Sequence, residues 1–93
     1  MKRKEKVAMQ DEYVGRLINN LPVLRAAAHM TQAQLADKVG VSRQTIVAIE
    51  NRKRPMPWSL YLAMVFVFEQ FNESNVLLVK LNLFSSDLIK DTI

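Results

Sequence analysis

Ninety-three residues suffice for one domain with a modest core and are too few for two cores or a large enclosed substrate cavity. Hydrophobic residues make up 49% against only 2 Gly and 3 Pro, a balance that favours helices over a turn-rich β-sandwich. The net charge of +4 is unevenly placed: residues 1–54 hold eleven Lys/Arg and five Asp/Glu, residues 55–93 two and four, so the basic half points to a polyanionic partner. With no Cys and a single histidine, His29, the chain has neither a disulfide framework nor a thiolate or multi-histidine metal site, and no cofactor is expected. The opening "MKRKEKVAMQDEY" runs into charged residues rather than an apolar signal-peptide core. The longest apolar run, Leu60–Phe68, has nine residues against the ~20 that span a bilayer. The expected compartment is therefore the cytoplasm, without a membrane partner.

In chain order, residues 1–10 read as a mobile basic arm carrying Lys2, Arg3, Lys4 and Lys6. From Asp11, the residues Tyr13, Val14, Leu17, Ile18 and Leu21 fall at helical spacing and predict a short helix. Asn19–Asn20 predict a break and an N-cap for the next helix, with Pro22 tolerated in its first turn and an end near His29. Residues 1–20 thus form an arm and short helix, 21–84 a domain, and 85–93 a C-terminal tail. Thr31 followed by Gln34 matches the capping box ahead of "LADKV". Gly40 suits a helix C-terminus that needs a positive φ. Ser42 then caps a helix through roughly Asn51, which "NRKRPMP" cannot continue, because its prolines remove donors and restrict the residues before them. Ser59 is predicted to cap a helix through about Phe71. Its residues Leu60, Leu62, Met64, Val65, Phe66 and Phe68 are apolar nearly all round, so it needs cover on more than one side. Residues 74–84 predict a last helix whose apolar excess either buries against its neighbour or forms a subunit contact.

Gln32 to Arg52 form one unit. Leu35, Val39, Val41, Ile46 and Ile49 are the positions that two helices crossing through a short turn would bury, Ala36 is small at their closest approach, and Gly40 makes the turn. This joint pattern describes a helix-turn-helix, whose second helix presents its first residues to the DNA major groove. Arg43 and Gln44 sit on that first turn. Arginine donates two hydrogen bonds to guanine and glutamine pairs bidentately with adenine, each worth about 1–3 kcal/mol of discrimination. Thr45, Val47 and Ala48 follow as further base-reading candidates, through a hydroxyl or through contact with a thymine methyl. Ser42, Asn51, Arg52, Lys53 and Arg54 are candidates for phosphate contacts, which position a protein without specifying sequence.

Residues Leu21–Met56, through "TQ..LA...GVSRQTI..IE", resemble the Xre/Cro (lambda-repressor-like) helix-turn-helix regulators. The continuation "MPWSLYLAMVFVF" resembles that of a bacterial and archaeal subgroup. The resemblance implies an all-α, lambda-repressor-like five-helix domain, here with a short extra N-terminal helical segment, and a sequence-specific transcriptional regulator, acting as a repressor, that reads double-stranded DNA with helix 42–51. It also implies a phosphate contact for Gln32 and a structural ion pair between Arg25 and Glu50. One short recognition helix reads few base pairs, so a homodimer on a palindromic operator is expected, with its contact around Val76–Phe84. Two other readings stand beside this one. The first is an antitoxin that regulates its own operon and binds a toxin through the tail "SSDLIKDTI"; the second is a protein-interaction adaptor that reads no bases. Asp37 and Glu50 lie on different helices with no nucleophile and base beside them, so no enzyme is expected.

Overall fold

The computed structural model describes residues 2–83, and the regular structure among them is helical throughout. The elements are α1 (Arg3–Ala27), α2 (Gln32–Val39), α3 (Arg43–Glu50), α4 (Trp58–Glu69) and α5 (Asn72–Lys80). The last helix, expected over 74–84, runs from Asn72 to Lys80; Phe84 and the tail from 85 onward lie outside the described residues.

The largest departure from the sequence reading is α1. The arm, the short helix and the helix after it are one continuous element of 25 residues, with no break at Asn19–Asn20 and with Pro22 in its interior. The extra N-terminal segment is therefore the first half of α1 and not a separate helix. Two physical terms explain the continuity. The Asn20 side chain donates back to the Arg16 carbonyl at 2.8 Å, satisfied within the helix instead of capping a new one. Leu17, Leu21 and Leu24, spaced to share one face, are completely buried. Each buried leucine contributes about 1.5–3 kcal/mol, so the three together outweigh the ~3 kcal/mol that an interior proline costs. Farther towards the N-terminus only Met9, Tyr13 and Val14 pack against the core, and Lys2, Arg3 and Lys4 stay exposed.

α2 begins with a complete capping box. Thr31 Oγ1 accepts from the Gln34 amide at 3.1 Å, while Gln34 Oε1 accepts from the Thr31 amide at 2.9 Å. It ends at Gly40, whose φ of 80° lies in the left-handed region, so that the amides of Gly40 and Val41 both reach the Ala36 carbonyl. Ala36 itself is buried where α2 meets α3. Ser42 caps α3 through its Oγ, which accepts from the Thr45 amide at 3.1 Å.

α4 starts two residues earlier than a Ser59 cap would set and ends at Glu69 rather than near Phe71: Pro57, with φ fixed near the helical value, precedes it, and Ser59 lies inside the first turn without capping. Its buried residues Leu60, Tyr61, Met64, Val65 and Phe68 are covered by α1, α2 and α5, yet Phe66 remains 65% exposed. Ser74, fully buried, donates to the Phe68 carbonyl at 2.6 Å and ties the end of α4 to α5. Tyr61 is the polar centre of the far end. It stacks on Trp58 at 4.5 Å, meets Tyr13 edge-on at 6.4 Å, and donates to the carbonyl of the buried Leu83. Burial pushes its hydroxyl well above the ordinary tyrosine range; Tyr13 adds to the effect and Arg16 partly offsets it. Arg16 also donates to the Asn82 carbonyl at 2.8 Å, which fastens the chain after α5 to α1.

Candidate nucleic-acid interface

The recognition surface is built from the start of α3. Ile46 and Ile49 face inward and are completely buried, which fixes the rotation of the helix about its axis. That rotation leaves Arg43 and Gln44 exposed on the first turn and Val47 and Ala48 half-buried one turn on. Thr45 lies between them with its hydroxyl engaged: it shares a hydrogen bond with Ser42 Oγ at 2.9 Å and accepts from Arg54 Nη1 at 3.2 Å. Of the two groups that Thr45 offers, the methyl is the one without a hydrogen-bonding duty.

The opposite end of α3 is held by a carboxylate. Glu50 Oε1 accepts from Arg25 Nε at 2.7 Å and Oε2 from Arg25 Nη2 at 3.3 Å, while Arg25 Nη1 donates to the Met30 carbonyl at 3.2 Å. The side chains are only 17% and 8% exposed, so the pair belongs with buried ion pairs, whose partners are costly to remove singly. Gln32, the first residue of α2, donates its Nε2 to Glu50 Oε2 at 2.6 Å. The sequence reading aimed this amide outward at a phosphate; among the described residues it is committed inward. No pattern in the sequence signals the contact, because residues 32 and 50 sit on different helices.

The loop after α3 carries three consecutive basic residues. Asn51, Arg52, Lys53 and Arg54 are all exposed. Arg52 adopts φ 60°, a left-handed conformation that costs a residue with a Cβ about 1–2 kcal/mol. The turn is closed by the Arg52 amide on the Ile49 carbonyl at 3.0 Å and the Lys53 amide on the Ala48 carbonyl at 2.8 Å. The Arg52 guanidinium donates to Asn19 Oδ1 on α1. Arg54 reaches back to Thr45, as described above. Met56, buried, anchors the end of the loop. The structure therefore gathers Ser42, Arg43, Gln44, Thr45 and Arg54 at the start of α3, sets Gln32 against Glu50 at the other end, and ties Arg52 to α1 and Arg54 to Thr45. Sequence reasoning missed those three ties. No group of three His, Cys, Asp or Glu side chains able to hold a metal occurs among the described residues, and none of their helices is long and apolar enough to cross a membrane.

Comparison with known proteins agrees with this geometry. A family model described as helix-turn-helix matches residues 24–57, which run from within α1 to the residue before α4. An uncharacterized HTH-type transcriptional regulator of Methanocaldococcus jannaschii is 57% identical over 35 residues, covering 38% of this chain and 53% of the relative. The chain thus spans about half the length of the curated relative that it matches. No solved structure gives a significant match.

Proposed function

We propose that this chain, whose residues 24–57 match a helix-turn-helix family model, is a sequence-specific double-stranded DNA-binding transcriptional repressor of the Xre/Cro type. The observation that carries the proposal is the placement of Arg43 and Gln44: exposed, on the first turn of a helix capped at one end by Ser42 and clamped at the other through Glu50. α3 enters the major groove, and these two side chains read base edges. Val47, Ala48 and the methyl of Thr45 supply apolar contacts beyond them. Ser42, Asn51, Arg52, Lys53 and Arg54 face phosphates, and the release of counterions by the basic ones makes affinity fall with salt. Repression follows from occupancy of the operator by a protein located in the cytoplasm.

The functional unit is a homodimer on a palindromic site. Two-fold symmetry places two recognition helices about 34–36 Å apart on one face of the duplex and multiplies two short readings into one useful specificity. Support comes from α5, where Val76 is 51% and Val79 65% exposed, an apolar pair one helical turn apart.

Selection of preferred sites from random duplexes, followed by binding over a salt series, tests the reading. Enrichment of a short palindrome is expected. Arg43→Ala relaxes preference at one base position, while Lys53→Ala weakens all sequences and lowers the salt slope by about 0.9. Uniform loss in both variants rejects base reading by Arg43.

A further inference from the structure

Behind the recognition helix, between it and the start of α4, lies an open cavity of about 380 Å³, within the size range of small-molecule sites. Its floor is formed by Ile49 of α3 and Leu60 of α4, both buried. Val39 and Val41, on either side of the Gly40 turn, make one wall, and Pro57 and Ala63 make another. Among these apolar groups stand only three polar side chains, Thr45, Ser59 and Arg54, and no carboxylate lines the space. Arg54 is exposed and donates from Nη1 to Thr45 at 3.2 Å, one use of a guanidinium that carries five N–H donors. Among the described residues the ion pairs are Arg16 with Glu12, Arg25 with Glu50 and His29 with Glu73. The positive charge at the mouth of the cavity is therefore unmatched by any of those carboxylates.

An apolar trough with one cation at its mouth complements a small monocarboxylate that has an apolar body. The body gains by leaving water against the aliphatic walls and floor, and the carboxylate takes two parallel N–H bonds from Arg54, shorter and stronger than neutral ones. Inorganic phosphate offers the charge and nothing for the walls; a neutral alcohol offers the reverse. We infer that this cavity is a binding site for a small apolar carboxylate, and that its occupant opposes DNA binding by engaging Arg54. The second half rests on the proposal that Arg54 faces a phosphate. A guanidinium already paired with a carboxylate brings no net charge to the duplex, so affinity falls on every sequence alike while the contacts of Arg43 and Gln44 with bases stand. By linkage, the duplex weakens the carboxylate by the same factor.

The test titrates the full chain, first without DNA, with octanoate, following backbone and methyl NMR shifts. Butyrate, which lacks most of the tail, and 1-octanol, which lacks the charge, are the control probes. Saturable shifts centred on Val39, Val41, Ile49, Leu60 and Ala63 are expected with octanoate, at a Kd about tenfold or more below that of either control. Arg54→Gln should bind octanoate no more tightly than 1-octanol. Ala63→Leu, which puts a side chain into the cavity, should weaken octanoate by about tenfold or more. On the selected duplex, saturating octanoate should weaken the wild-type complex about three- to tenfold and lower its salt slope by about 0.9, whereas the Ala63→Leu complex should not respond. The inference is overturned if 1-octanol binds as tightly as octanoate, because the charge then plays no part. It is also overturned if the shifts centre on another face, such as that around Phe71, or if folded Ala63→Leu binds octanoate undiminished. Octanoate that fills the cavity and leaves duplex affinity unchanged overturns the opposition to DNA. A chain that binds no duplex defeats the proposed function instead, and the titration without DNA still decides the site.

Discussion

Replacing Glu50 with alanine removes the acceptor for three hydrogen bonds at once and strands the Arg25 guanidinium, 17% exposed, beside a buried backbone. Breaking a buried pair from one side costs about 3–5 kcal/mol. The residual exposure of Arg25 places this case at the lower end, near ~3 kcal/mol. A chain of 93 residues has a total stability of about 5–14 kcal/mol, so the variant remains folded at room temperature and can be measured. Urea unfolding followed by circular dichroism at pH 7 should show a lower midpoint with an unchanged slope. The double replacement Arg25→Met with Glu50→Leu removes both charges and fills the space, and should recover most of the loss. It still leaves Gln32 without its acceptor, so the recovery should be incomplete. A loss below about 1 kcal/mol for Glu50→Ala, the range of exposed pairs, would refute the reasoning, as would a double variant no more stable than the single one.

Gly40→Ala should lower stability by about 1–2 kcal/mol in the same unfolding assay; a Cβ there meets nothing within 4 Å, so the cost is the positive φ alone. Site preference in the selected-duplex assay should stay at the wild-type value. Tyr61 titrates above its unfolded value of about 10 because burial disfavours the phenolate. The unfolded chain therefore loses the proton first, and the stability that this group contributes is whole below about pH 10 and declines as pH rises beyond it. In Tyr61→Phe, unfolding curves recorded from pH 8 upward should lack that part of the decline, and stability at pH 7 should be lower by about 1 kcal/mol because the Leu83 carbonyl loses its donor. Arg52→Gly relieves a left-handed residue and deletes the tie to Asn19, two effects of opposite sign near ~1 kcal/mol each. Thermal unfolding should barely move while DNA affinity drops on every sequence; a large destabilisation would show that the tie, and not the backbone, dominates there.

The helix-turn-helix was legible because its determinants are local. Thr31 with Gln34, Gly40, and Ser42 each act within four residues of themselves, and the structure contains every one of those caps and turns. α1 was misread for the opposite reason. Asn19, Asn20 and Pro22 are helix-ending residues by propensity, and the term that overrides them is the burial of Leu17, Leu21 and Leu24 against α3, α4 and α5, which only the folded chain supplies. The exposure of Phe66 within an apolar helix is likewise a matter of which neighbours arrive. At the site, the exposure of Arg43 and Gln44 follows from helical periodicity around Ile46 and Ile49. The bonds from Gln32 to Glu50, Arg52 to Asn19 and Arg54 to Thr45 join positions 18, 33 and 9 residues apart, and no periodic pattern carries them.

The bond from Arg16 to the Asn82 carbonyl joins positions 66 residues apart, whereas α2 and α3 adjoin in sequence and close on each other through a three-residue turn. Loop-closure entropy grows with the length enclosed, so the two short helices can meet while the first helix still lacks most of its partners. During synthesis the leucine ridge of that helix leaves the ribosome first and waits for residues near 83 before its far half is covered. Maturation of the domain is in this sense a late event, completed when Leu83, the last buried leucine among the described residues, arrives rather than when its reading head takes shape.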